Sequence, residues 1–189
     1  LLLAGSAALG AEKKIVLLAG ELDGHPPGCH EYEKTAQQLQ HLLTHLKAAA
    51  EKPACEVHFH GWPADAATLN TADTIVLVSA GADRNEKDHP LLAADRMATL
   101  EKQMNRGCGL VLLHWSTFLP VREEKRVLEW AGGFFDYETG VPTPQGQRWK
   151  SAIATKRWDC TPMSPQHPIS RGVKPFPMQQ EFYYKLRFA

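Results

Sequence analysis

A chain of 189 residues with 43% apolar and 22% charged side chains has the length and composition of one ordinary globular domain with a sizeable core. Lysine plus arginine equals aspartate plus glutamate, 21 of each, so no global field recruits nucleic acid or an anionic membrane, and the better expectation is a small, roughly neutral partner. Cys29, Cys55, Cys108 and Cys160 include no Cys-x-x-Cys pair, which argues against a zinc knuckle or a thioredoxin motif and leaves three disulfide pairings open.

Residues 1–11, Leu-Leu-Leu-Ala-Gly-Ser-Ala-Ala-Leu-Gly-Ala, are apolar and small, and charge begins abruptly at Glu12. This run is expected to be the remnant of a secretory signal peptide, which makes the protein exported, periplasmic or extracellular. No other run approaches membrane-spanning length, so the mature form is not expected to insert in a membrane.

Lys13 to Gly20 opens with two lysines and then runs apolar from Ile15, too short for a helix and closed by Gly, as a first buried strand would be. The following Glu21–Glu33 is a loop dense in titratable groups and in Gly and Pro. Ala36, Leu39, Leu42, Leu43 and Leu46 then recur at helical spacing, predicting a helix from about Tyr32 to Ala50 with His41 and His45 on its solvent side. Cys55–Gly61 alternates loosely, as an edge strand does; His58 and His60 share a face there, better read as exposed than as a chelate.

Asp73–Gly81 reads as another buried strand, delivering Asp83, Arg84 and His89 to the rim of the sheet, and Pro90 fits the first turn of a helix carrying Met97, Leu100 and Met104. Gly109–Leu113 has no alternation, so it reads as a central strand buried on both faces, with His114 as the first residue bearing chemistry beyond it. Pro120 begins a shorter helix ended by Gly132-Gly133. Strand, helix, strand, strand, helix, strand, helix asks for an α/β fold of the flavodoxin-like kind, a mostly parallel sheet with helices on both faces. Trp149–Trp158 reads as one or two extra strands, His167–Gly172 as a tight turn, and Glu181–Phe188 as a strictly alternating strand. No helix follows to cover that strand, so residues 12–189 are expected to form a domain truncated at its C-terminus.

Ligands of open α/β sheets bind outside the carboxyl ends of the strands, which makes His114 the reference point for function. Its imidazole can take and give a proton near neutrality, with Glu31 or Asp83 as orienting carboxylates. Trp115 and Tyr183 are placed to stack on the apolar face of a small ligand, while His30, Arg84, His89 and Glu181 can hydrogen-bond its polar groups. A zinc site is the alternative chemistry for the same rim, with His25, His30, His89 and His114 as its candidate ligands. Against both stands the plain reading of His114 as a hydrogen-bonded residue capping a strand.

These blocks resemble the ThuA-like (trehalose-utilisation) family of the class I glutamine amidotransferase-like superfamily. The resemblance is carried by Lys14-Ile-Val-Leu-Leu-Ala-Gly20 with His30-Glu-Tyr-Glu33, by Ser79–Asn85 with His89-Pro90, by Gly107–Trp115, by Trp130–Tyr137, and by His167–Gly172 with Glu181–Tyr184. It implies a flavodoxin-like domain of carbohydrate metabolism, often exported, whose reaction is poorly defined. Related amidotransferases carry a nucleophilic Cys in the turn after the central strand, whereas His114 stands in that place here. Imidazole cannot form the thioester of amide transfer, so no glutaminase is expected. The expectation is acid-base chemistry, namely isomerisation, elimination or hydrolysis of a sugar or keto-sugar. A zinc-dependent sugar hydrolase and a non-catalytic sugar-binding or scaffold module of a larger exported protein stand as alternatives. The small-molecule partner that the resemblance implies is thus a carbohydrate, and a homo-oligomer stays open.

Overall fold

The structure, a computed structural model, describes residues 12–45, 52–138, 140–142, 144, 146 and 148–189. The proposed signal-peptide remnant at 1–11 lies outside them. Its centre is a four-stranded parallel sheet of β1 (Lys14–Ala19), β2 (Ala54–His58), β3 (Thr74–Val78) and β4 (Gly109–Leu113), in the order β2-β1-β3-β4. This is the strand order of a flavodoxin-like sheet, and the chain crosses from one side of β1 to the other between β2 and β3.

The continuous apolar text of β1 and β3 is explained by burial on both faces. Val16, Leu18, Ile75 and Leu77 pack on one side with Leu100, and Leu17, Ala19, Val76 and Val78 on the other with Tyr32 and Ala36. Each such aliphatic side chain taken fully from water contributes about 1.5–3 kcal/mol before entropy is counted. Helix α1 (Tyr32–Thr44) covers the second face. Helix α2 (Arg96–Asn105) and helix α3 (Glu124–Ala131) cover the first, the latter through Val127 and Leu128 with Leu112.

Several expectations are corrected. β4 is an edge strand of this sheet, with Val111 40% exposed, because helices reach only one of its faces. Leu42 is 60% exposed: α1 turns its Tyr32, Ala36 and Leu39 side to the sheet, leaving Leu42 outside that stripe. The stretch 46–51 of the predicted helix lies outside the described residues. Pro90 opens only a short 3₁₀ turn, Pro90–Leu92, and α2 starts at Arg96. His60 does not share a strand face with His58, since β2 ends at His58 and His60 sits at a left-handed φ of 58°. The four cysteines are free thiols.

Beyond α3 come β5 (Gly133–Phe134), β6 (Val141–Pro142), β7 (Arg148–Trp149), β8 (Ala152–Cys160), β9 (Phe176–Tyr184) and β10 (Arg187–Phe188). β8 and β9 form an antiparallel ribbon in which Thr155 is opposite Glu181 and Ile153 opposite Tyr183. The expected unbroken alternation over Glu181–Phe188 fails at Lys185, whose φ of 57° turns the chain so that Tyr183 and Leu186 both reach the core. β10 then pairs with β5 and is anchored by Arg187, which binds the buried Asp136 at 2.8 Å and Glu124 at 2.7 Å. Asp136 therefore serves the fold. Among the described residues no helix is long and apolar enough to cross a membrane.

Candidate functional site

A cavity of about 490 Å3 opens where β1, β3 and β4 end, with the ribbon closing one side. The turn after β1 contributes His25 and His30, the turn after β3 Asp83 and Arg84, the turn after β4 His114, and β9 Glu181 and Tyr183.

β4 hands over directly to a 3₁₀ turn, His114–Thr117, and the change of direction falls on His114, which takes a φ of 55°. A left-handed conformation costs a residue with a Cβ on the order of 1 kcal/mol, so the turn holds His114 against local preference. Its ring stacks on that of Tyr183, centroids 5.1 Å apart and 13° from parallel, and meets His30 edge-on at 5.3 Å. Nε2 lies 3.8 Å from Oε2 of Glu181, within ion-pair range but too long for a hydrogen bond. Burial, and then the neighbouring His30, hold the His114 imidazole below its ordinary value and favour the neutral ring. The Tyr183 phenol is pushed up by burial and by Glu181, so it stays protonated.

The organising group of the β1 turn is Asp23, which sequence reasoning missed. Its Oδ1 accepts from the backbone N–H of His25 at 3.0 Å and from His25 Nδ1 at 2.8 Å. Its Oδ2 accepts from His30 Nδ1 at 2.6 Å and from the Tyr32 hydroxyl. Burial alone would raise this carboxyl, but the hydrogen bonds from Tyr32, His25 and His30 outweigh it and hold Asp23 well below the usual carboxylate range. Gly24 and Gly28, at φ of 80° and 91°, allow the loop to fold back so that both imidazoles reach one carboxylate. The signal was present as an acid two residues before one histidine and seven before the next.

The other predicted residues divide. Arg84 lies over the Trp115 ring at 4.9 Å and donates to His25 Nε2 at 3.1 Å, which places the His25 proton on Nδ1, toward Asp23. Asp83 lines the cavity but does not orient His114; it accepts from Trp115 Nε1 at 2.7 Å. That bond keeps Trp115 only 6% exposed, leaving little ring to stack on a sugar.

Glu31 does not reach His114 either. It caps its own loop, accepting from Gly28 N–H at 2.9 Å and pairing with Lys34 at 2.8 Å. His89 is not on the rim but fully buried, Nδ1 accepting from Leu91 N–H and Nε2 donating to the Ser116 carbonyl. With both nitrogens engaged it is not available as a metal ligand, and burial pushes its pKa down to about 4. Among the described residues, the metal-ligand types that do converge are Asp23, His25 and His30, not the expected set with His89 and His114. A second cavity of about 470 Å3 also reaches Asp23, lined by Glu21, His60, Lys87, Asp88 and Arg96, and includes neither His30 nor His114.

No protein-family model and no curated protein matches the chain. It is similar to a crystal structure. That structure, at 2.30 Å resolution, is of a protein described as ThuA-like from Bacteroides uniformis, 13% identical, with a TM-score of 0.48. The match covers 91% of this chain and 60% of the other, so the chain spans less than two thirds of that protein's length.

Proposed function

We propose that this chain is a ThuA-like domain that transfers protons on a carbohydrate or its keto derivative, with His114 as the catalytic group. The ThuA-like reading is supported by the sequence blocks from Lys14 to Tyr184, and the chemistry by the site. The carrying observation is the placement of His114: on a strained turn at the end of β4, stacked on Tyr183, facing a cavity with Glu181 beside its Nε2.

Such an imidazole takes a proton from the carbon adjacent to a carbonyl and returns it to a neighbouring atom, and the Glu181 carboxylate stabilises the imidazolium in between. Arg84 supplies donors for a hydroxyl or for the oxygen on which charge develops, in a partly water-excluded cavity. No cysteine occupies the turn after β4, so the thioester route of amide transfer is not proposed. Purified protein presented with a panel of glucosides and their 3-keto forms should turn over one class, and His114→Ala should abolish that turnover. A chain that binds sugar without converting it, with affinity indifferent to His114→Ala, is a binding module instead.

A further inference from the structure

We propose that Asp23, His25 and His30 form a binding site for a divalent cation of the zinc class, through the carboxylate and one nitrogen of each imidazole. The role given to the ion, polarising a sugar oxygen beside His114, rests on the function proposed above; the existence of the site does not.

One ligand-type atom from each of the three residues lies within 4.8 Å of the others. All three come from one short loop held between β1 and α1, and their side chains are shielded, with exposures of 6% for Asp23, 22% for His25 and 12% for His30. The two imidazole centroids are 4.1 Å apart. Charge supplies the second argument. The Asp23 side chain is 6% exposed, yet among the described residues its ion-pair partners are His25 and His30, with no Lys or Arg on it. A cation bound there would bring the full positive charge that no Lys or Arg supplies to this shielded carboxylate.

The donor set selects the ion. Two imidazoles and one carboxylate suit zinc, whereas magnesium and calcium prefer oxygen throughout. Bonds of about 2.0–2.2 Å to a tetrahedral zinc separate its ligands by roughly 3.4 Å. The Nδ1-to-carboxylate distances of 2.8 and 2.6 Å therefore have to open on loading, as the shared protons leave. Each imidazole keeps its one proton by moving it to Nε2, so His25 stops accepting from Arg84 and the guanidinium is released toward the cavity. Three protein ligands leave a coordination position for water or a substrate oxygen, the pattern of catalytic rather than structural zinc.

The test is titration of chelator-stripped full chain with zinc sulfate against a chromophoric zinc indicator, with magnesium chloride as control and circular dichroism to confirm that each variant is folded. One zinc per chain is expected and no magnesium. Asp23→Asn and His25→Ala should each weaken zinc by at least about 100-fold. His114→Ala, outside the ligand set, should leave the affinity within about threefold, since it alters no ligand. No zinc uptake, or zinc affinity unchanged in folded His25→Ala, overturns the proposal, as does an equal loss in His114→Ala. Because the readout is binding, a chain that takes up no zinc yet converts sugar overturns this inference and leaves the proposed function standing. A chain that loads zinc at these residues but converts no sugar does the reverse.

Discussion

His114 and Tyr183 lie ring on ring, 5.1 Å between centroids and 13° from parallel, although one belongs to the turn after β4 and the other to a ribbon built much later in the chain. The stack joins the parallel sheet to the ribbon at the cavity wall. Tyr183 also meets Phe118 at 5.1 Å and Phe135 at 5.2 Å, so the imidazole rests on a packed aromatic cluster rather than on a mobile loop.

The left-handed turn at His114 separates stability from function. His114→Gly should be more stable than His114→Ala by about 1 kcal/mol, because only glycine takes a φ of 55° without a Cβ penalty. Both should lose turnover. Chemical denaturation of the two variants measures the difference, and equal midpoints would show that the turn relaxes.

His89 makes stability fall on acidification. Its folded pKa is about 4, below the unfolded value of about 6.5, so the unfolded chain binds the proton first. Stability is fully present above the unfolded value and is lost as pH falls from there toward the folded one, by on the order of 3 kcal/mol at most. Urea unfolding of wild type and His89→Gln between pH 7 and pH 4 should show a flatter dependence in the variant. Parallel curves would mean that other groups carry the effect.

Gly81 is set by crowding and not by its backbone angle. A Cβ there would come within 2.6 Å of Trp115 Nε1 and 2.7 Å of the Phe118 Cβ. Gly81→Ala should cost about 1–3 kcal/mol and push the indole off Asp83. Loss of melting temperature together with a changed tryptophan emission is the expected result.

Arg187 holds the last strand to the body of the domain through Asp136 and Glu124. Replacing it with Met takes the guanidinium from a carboxylate only 1% exposed, at a cost of about 3–5 kcal/mol. Thermal unfolding reads the loss, and Arg187→Lys should recover part of it.

The sequence made the sheet legible because hydrophobic period reports burial: the runs at Lys14–Ala19 and Thr74–Val78 stand as strands buried on both faces, and the element order fixes a flavodoxin-like arrangement. Period says nothing of lateral position, which is why β4 was expected at the centre and stands at an edge. Of the candidate residues, His114, His30 and Arg84 do line one cavity, as the turns that carry them suggest. The site was not legible at His89, because a histidine after a strand reads the same whether it faces solvent or, as here, donates into the Ser116 carbonyl below. Asp23 was hidden because a loop acid is ordinary until folding aims two imidazoles and a phenol at it.

Proton transfer by His114 is tested most directly by deuterium exchange. Incubating the protein with a 3-keto-glucoside in heavy water should place deuterium on the carbon next to the carbonyl, followed by nuclear magnetic resonance. His114→Ala should slow that exchange by roughly 10²–10⁴-fold while the fold, read by circular dichroism, is unchanged. Exchange at the wild-type rate in His114→Ala, or none in wild type across the whole panel of sugars, would contradict the account.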